Sequence, residues 1–364
     1  MKVLHLNSEL IFGGGLERII VDLMTRNKAV KNYMCIVNDK WSQEYISLLN
    51  KDSILLCDRK EGTRNPIINV GTIYKTYKFI KKNNIKVIHC HDTFSLKYAY
   101  LLKKLIKIKV VFTVHDTNIY NEGLNKYPVD KYIAISESVY TRLIKYIPRD
   151  RIELIYNGVN LNRFKRPYRY SDTNTSKGDT FTISCVARIM PEKKGQDILI
   201  KALNVLKNKY KHVNFKCYFA GASHNEESMK ELNELVKKFH LENNIKFLGN
   251  VENMEKLYAN TDVMVLPSRY EGFGLVVVEA LAAGCCVVVS KLEGPLEIIK
   301  DTEEYGLHFE KEDYMELAEK LHLLLSDKDF YKKYNNYQKI TNYLEKNFSL
   351  ENMIKNYNKI YNNL

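Results

Sequence analysis

Residues 262–290 read DVMVLPSRYEGFGLVVVEALAAGCCVVVS, and the order of their parts decides the fold. An apolar strand pattern (DVMVLPS) is followed by a charged, glycine-bearing loop (RYEGFG), an apolar helical stretch (LVVVEALAAG) and a second strand (CCVVVS). A strand, a helix and a strand in that order make the right-handed crossover unit of a parallel sheet. Gly272 and Gly274 let the loop backbone come close to a ligand. A helix starting near Gly274 aims its free N–H groups at the same place, where they suit a phosphate. Two carboxylates stand out, Glu271 on the loop and Glu279 about one and a half turns into the helix. Glu279 admits two readings: the solvent face of a short helix, or a carboxylate accepting hydrogen bonds from two vicinal hydroxyls, as in dinucleotide folds.

The same rhythm extends outward from this unit. Upstream, TFTISCVA, NFKCYFAG and IKFLG read as strands, separated by the helical stretches GQDILIKALNVLKNKY and NEESMKELNELVKKFH and followed by MEKLYANT. The N-terminal half repeats it, with strands expected at 2–7, 33–37, 53–57, 85–89, 109–114 and 131–135. Helices are expected around 67–83, 94–107 and 137–146, and FGGGLE forms a glycine turn after the first strand. RPYRYSDTNTSKGDT (166–180) has no apolar periodicity and reads as a linker. Two doubly wound α/β domains in tandem follow, 1–170 and 171–344. Such sheets bind ligands at the carboxyl ends of their strands, and two facing domains would enclose a cleft there.

The 364 residues carry a net charge of +13, unevenly spread. Residues 1–170 hold 30 Lys+Arg against 15 Asp+Glu, and residues 171–364 hold 26 against 28. One basic half suggests an anionic partner. The seven cysteines are scattered without a C-x-x-C pair, which points to a reducing compartment rather than disulfides or structural zinc. MKVLHLNSEL turns polar within seven residues, so no signal peptide is expected, and no apolar run has the length of a membrane span. The expected location is the cytoplasm, on or near its membrane face.

The segment EGFGLVVVEALAAG resembles the E-x7-E motif of retaining glycosyltransferases of the GT-B fold, family GT4. CVARIMPEKKGQDILIKAL, IKFLGNVENMEKLYA, AISESV, YNGVNLNRF, GGGLERIIVDL and TVHDT fit the same family pattern. The resemblance implies a GT-B fold, two Rossmann-like domains facing across a cleft, with a C-terminal helix of about 345–364 packing back on the first. It implies that Glu279 holds the nucleotide ribose and that Glu271 contacts the transferred sugar. Gly272 and the backbone N–H groups of Phe273, Gly274 and Leu275 would cap diphosphate and sugar. Arg188 and either Lys193 or Lys194 would bind the diphosphate, and Asn250 and Val251 would meet the base. Gly13, Gly14 and Gly15 would close over the donor, and His115 would reach toward its sugar.

These residue types suit the chemistry. Breaking a sugar–phosphate bond builds negative charge on the leaving diphosphate, which fixed cations and helix N–H groups stabilise. Arg188 offers a forked pair of donors and a lysine a point charge. No carboxylate pair for double displacement is legible, so the resemblance implies front-face retention. Neither a cofactor nor a metal is expected: the chain is read as lacking a metal-binding D-x-D, with Arg and Lys standing in for the metal. A metal site at His89, His91 and His115 lacks a known ligand spacing.

The basic half offers SLKYAYLLKKLIKIK (95–109), with Lys97, Lys103, Lys104, Lys107 and Lys109, and IYKTYKFIKKNNIK (73–86). These read either as the solvated faces of core helices or as surfaces for an anionic membrane. The expected activity is sugar transfer from a nucleotide-sugar, foremost a UDP-sugar, to a glycan or lipid-linked glycan of a bacterial surface polysaccharide. A nucleotide-sugar epimerase on the same architecture is the alternative. A nucleic-acid-binding protein explains the charge but not the convergence of Glu271 and Arg188 in the uncharged half.

Overall fold

The computed structural model describes residues 1–11, 15–63, 66–115, 126–165, 180–210 and 213–364. The chain forms two compact units, Met1–Gly158 with Leu350–Leu364, and Val159–Ser349. The division therefore falls at 158/159 and 349/350, not at 170/171 and 344/345. The helix Leu161–Phe164 belongs to the second unit because Phe164 sits edge-on to Tyr258 and Arg163 pairs with Glu255. The expected linker is almost wholly outside the described residues. Of the expected C-terminal helix, Leu350–Asn362 joins the first unit, while Tyr337–Phe348 stays with the second.

Among the described residues the first unit holds seven parallel strands: β1 (Lys2–Asn7), β2 (Lys31–Asn38), β3 (Ile54–Arg59), β4 (Val87–Cys90), β5 (Lys109–Val114), β6 (Lys131–Ala134) and β7 (Ile152–Leu154). Their order across the sheet is β3-β2-β1-β4-β5-β6-β7. The second unit holds β8 (Thr180–Val186), β9 (Asn214–Ala220), β10 (Ile245–Gly249), β11 (Val263–Leu266), β12 (Cys286–Ser290) and β13 (Leu307–Phe309), ordered β10-β9-β8-β11-β12-β13. Both are the doubly wound order, whose strand direction of growth reverses between β1 and β4 and between β8 and β11. Ligands bind at that reversal, outside the carboxyl ends of the strands.

The central strands are buried on both faces, and their sequences show it: VMVL of β11 and CVVVS of β12 have no exposed residue. In the second unit, Phe215, Cys217 and Phe219 of β9 pack with Leu199, Leu203 and Leu206 of helix Gln196–Lys209 and with Leu317 and Leu321 of helix Tyr314–Ser326. Cα register runs Val263 against Ile183 and Met264 against Ser184, which puts the ends of β8 and β11 side by side. All seven cysteines are buried, and none is in a disulfide.

Candidate functional site

At the reversal point of the second sheet, the loop after β8 carries Arg188 and the loop after β11 carries Glu271. A short turn, Pro191–Lys194, ends at Gly195 and is stitched to the β11 loop by backbone bonds. Arg269 N and Tyr270 N both donate to Lys193 O, at 2.8 and 3.1 Å. Arg269 locks the pair from behind. Its guanidinium reaches Pro191 O at 2.6 Å, Asp197 at 2.6 and 3.0 Å, and Glu312 at 2.7 and 2.8 Å. Held this way, Lys194 Nζ lies 2.8 Å from Glu271 Oε2, both side chains largely buried. Lys193 is exposed and sends only its carbonyl into the stitch. The geometry thus separates the two lysines that the sequence left open. One of the three Lys194 N–H donors is spent on Glu271 and two remain.

Arg188 is exposed, with no ion pair found for it among the described residues, and its carbonyl is held by Gln196 Nε2 at 2.9 Å. Glu271 leads into Gly272 and Phe273, then Gly274, which caps helix Leu275–Ala282 at φ +96°. That left-handed φ suits glycine, and glycine brings no side chain to bond the first-turn N–H groups. The helix N-terminus therefore carries its partial positive charge without a side-chain cap. Phe273 is buried and edge-on to Phe348, which anchors the loop.

Glu279 is half-buried and accepts from the hydroxyl of Tyr258 at 3.1 Å. Tyr258 is fully buried, and burial, then the Glu279 carboxylate, push its phenol well above the usual value. It stays a proton donor across the neutral range and orients the carboxylate. Asn250 and Val251 follow β10 at the sheet edge, Asn250 exposed. Gly221 N donates to Gly249 O at 2.8 Å, which ties this loop to the one after β9.

Gly13 and Gly14 lie outside the described residues; Gly15 opens helix Gly15–Arg26 and is exposed. His115 follows β5 at the carboxyl edge of the first sheet, where burial lowers its pKa to about 3. The basic stretch 95–109 is not one helix: Thr93–Leu105 is helical, Lys107 lies beyond it, and Lys109 opens β5. Lys103 and Lys109 flank Asp130 at 2.5 and 3.5 Å, so these two are tied to the fold. Lys97, Lys104 and Lys107 are exposed. One D-x-D triplet does occur, Asp327-Lys328-Asp329, against the expectation that the chain lacks it. Asp327 is spent capping helix Lys328–Lys333, accepting from Asp329 N and Phe330 N at 2.9 Å each.

Sequence reasoning missed four supports: Tyr258, Arg269, Asp197 and Gly294. Gly294 lies in the first turn of helix Glu293–Ile299, after β12, and a Cβ built on it would lie 2.7 Å from the carbonyl carbon and oxygen of Gly272. Its signal was the EGP triplet two residues beyond the last valine strand.

Two family models match consecutive parts of the chain: Glycosyltransferase Family 4 over residues 14–163 and Glycosyl transferases group 1 over residues 169–341. The chain belongs to the family 4 glycosyltransferases. An uncharacterised glycosyltransferase of Methanocaldococcus jannaschii is 30% identical over 239 residues, a match covering 59% of this chain and 60% of that one. The N-acetyl-alpha-D-glucosaminyl L-malate synthase of Bacillus anthracis is 24% identical over 320 residues, covering 81% of this chain and 79% of that one. Among solved structures, Anabaena HepE in complex with UDP superposes with a TM-score of 0.82 at 20% identity, over the full length of both chains. The two parallel sheets and this likeness give the glycosyltransferase a two-domain GT-B fold. Its E-x7-E pair, Glu271 and Glu279, sits at the reversal point of the second sheet.

Proposed function

We propose that this family 4 enzyme transfers a sugar with retention of configuration from a UDP-sugar bound at the carboxyl edge of the second sheet, without a metal. The observation that carries the reading is the contact of Lys194 with Glu271 beside an uncapped helix N-terminus at the β8/β11 reversal. A diphosphate there meets the first-turn N–H groups, the two spare donors of Lys194 and the exposed Arg188. These are the charges that a leaving UDP needs, and they are in place before reaction. Glu279, aimed by Tyr258, takes the ribose hydroxyls, and Glu271 takes hydroxyls of the transferred sugar. HepE, of like fold, was solved with UDP, which supports the choice of base.

Thermal melting with UDP-, GDP- and ADP-sugars in EDTA tests this. UDP-sugars should stabilise the chain by about 2.7 kcal/mol at a hundredfold excess over Kd. Stabilisation that vanishes in EDTA would overturn the metal-free part, and no response to UDP-sugars would overturn the donor.

The acceptor we infer is a lipid-linked glycan of a surface polysaccharide, reached by docking the first unit on an anionic membrane. Ile67, Val70 and Tyr74 stand on one side of helix Pro66–Asn83 and are 79%, 63% and 55% exposed. Leu101 and Leu105 project from helix Thr93–Leu105, and Lys75, Lys78, Lys97 and Lys104 are exposed on the same two helices. Apolar side chains among lysines fit a headgroup boundary. Among the described residues no helix is long and apolar enough to cross a membrane. The relative named for L-malate favours a soluble acceptor instead. Sedimentation with anionic vesicles at low salt separates the two: Ile67→Ser with Lys97→Glu and Lys104→Glu should release the protein, and no binding by the unaltered chain leaves the soluble acceptor.

A further inference from the structure

Four histidines lead to the carboxyl edge of the first sheet: His5 and His89 paired within β1 and β4, His91 just beyond β4 and His115 just beyond β5. Three of them form a line. His115 Nε2 is 3.4 Å from His91 Nδ1, His91 Nε2 is 3.0 Å from His5 Nδ1, and His5 Nε2 is 3.3 Å from Asn32 Oδ1. Asn32 fixes the direction of the line. Its Nδ2 faces the carbonyl oxygens of Leu23, Met24 and Asn27 at 3.4, 3.4 and 3.1 Å, around the C-terminus of helix Gly15–Arg26. A flipped amide would set oxygen against three oxygens, so Oδ1 is the atom that faces His5.

An amide oxygen only accepts, so His5 must donate from Nε2 and leave Nδ1 bare. The bare Nδ1 obliges His91 to donate from Nε2, and the bare Nδ1 of His91 obliges His115 to do the same. The logic needs neutral rings, each with one donor and one acceptor. Burial supplies them, holding His5 near 4 and His91 well below its ordinary value. We propose that Asn32, acting through His5 and His91, fixes His115 in the Nε2–H tautomer, so that its Nδ1 presents a lone pair to a substrate hydroxyl at this sheet edge. Asn32, His5 and His91 are then positioning residues, and His115 is a hydrogen-bond acceptor rather than a base.

The same cluster invites a metal reading, because His5, His89 and His91 have ligand atoms within 4.8 Å of one another. Each of their ring nitrogens already has a partner in the protein, however: His89 spends Nδ1 on Tyr361 Oη and Nε2 on Thr113 Oγ1, both at 2.7 Å. A relay satisfies all these atoms where they stand; a cation would have to break several of the bonds.

The placement of the protons stands on the contact geometry and the burial of the rings, and only the identity of the hydroxyl rests on the glycosyl-transfer reading. The test is the two-bond 1H–15N correlation spectrum of the full chain labelled with 15N-histidine. In the unaltered protein His5, His91 and His115 should each show a pyrrole-type Nε2 and a pyridine-type Nδ1. In His5→Phe and Asn32→Ala the two His115 nitrogen signals should move toward each other as its tautomers mix, although neither residue bonds to it. His89→Phe, which removes the nitrogens of a ring centred 4.1 Å from His91 but off the line, should leave them apart. In the first two variants kcat/KM should fall about tenfold, the worth of one hydrogen bond. A proton on Nδ1 of His115 in the unaltered protein, or unmoved His115 signals in folded His5→Phe, overturns the relay. Signals that respond as stated in a protein that turns over no nucleotide-sugar keep the relay and overturn the transfer reading instead.

Discussion

Gly294→Ala adds one methyl group and changes no charge, and it should disable the donor site. The new Cβ would stand 2.7 Å from the carbonyl carbon and oxygen of Gly272 and 2.8 Å from the nitrogen of Phe273. Ordinary contact begins at 3.4 Å, so the backbone of Gly272 and Phe273 must retreat by about 0.7 Å. None of these atoms is the end of a flexible side chain. The displaced peptide lies between Glu271 and the N-terminus of helix Leu275–Ala282, the two features assigned to sugar and diphosphate. A misplacement approaching 1 Å costs on the order of a hundredfold in rate where geometry governs the chemistry. Overpacking of this size costs about 1–3 kcal/mol of stability, and each kcal/mol lowers Tm by about 2–4 °C for a unit of this size. The expected pattern is a folded protein melting several degrees lower, with kcat/KM down by about 10- to 100-fold. Calorimetric titration with UDP and a melting curve measure both. UDP affinity and turnover equal to the unaltered enzyme would refute the claim that this loop holds the donor.

Other perturbations follow from the same geometry. Glu279→Ala should weaken donor binding by about 1.5–3 kcal/mol, and Tyr258→Phe, which keeps the buried shape and removes only the aiming hydroxyl, by about 0.5–1.5 kcal/mol; titration with UDP reads both. Lys194→Met should lower kcat by about 10²–10³ while Lys193→Met leaves it within a few-fold, because only Lys194 stands at Glu271; steady-state kinetics of the pair decides. The buried histidines should make the fold acid-sensitive. His5, lowered from 6.5 to about 4, binds its proton less readily folded than unfolded, so the stability it contributes is complete above pH 6.5 and is lost as pH falls toward 4. The loss is about 3 kcal/mol for His5 alone at 1.36 kcal/mol per unit, and His89 and His91 act in the same direction. Denaturant unfolding at pH 7.5 and 5 checks it, and equal stability at the two would contradict the buried, neutral rings.

Strands with long apolar runs were legible from sequence because both faces of a parallel sheet are buried. VMVL and CVVVS allow little else. The three-residue strands β7 (IEL) and β13 (LHF) were not legible, since three residues carry no periodicity and their pairing comes from the neighbours β6 and β12. Glu271, Glu279 and Arg188 could be read because each is a charged or acidic side chain beside a glycine loop or a strand end. Lys193 and Lys194 could not be separated, because the choice is made by two backbone bonds from Arg269 and Tyr270, which have no local signature. Tyr258 and Asn32 were missed for a related reason. A tyrosine on a short helix and an asparagine at a strand start look like surface residues until the chain is folded round them. His89, His91 and His115 were visible as a group, but their partner His5 lies more than eighty residues away along the chain and joins them only because β1 pairs with β4.

Retention by a metal-free UDP-sugar site is tested most directly by the anomeric proton of the first product. The full chain is given a UDP-α-sugar in EDTA, and the sugar released or transferred is followed by 1H NMR from the earliest turnovers, before mutarotation. The α-anomer should form first, at a rate unchanged by EDTA and lost in Lys194→Met. A β-anomer as the first product, or turnover that stops in EDTA and returns with a divalent cation, would contradict it.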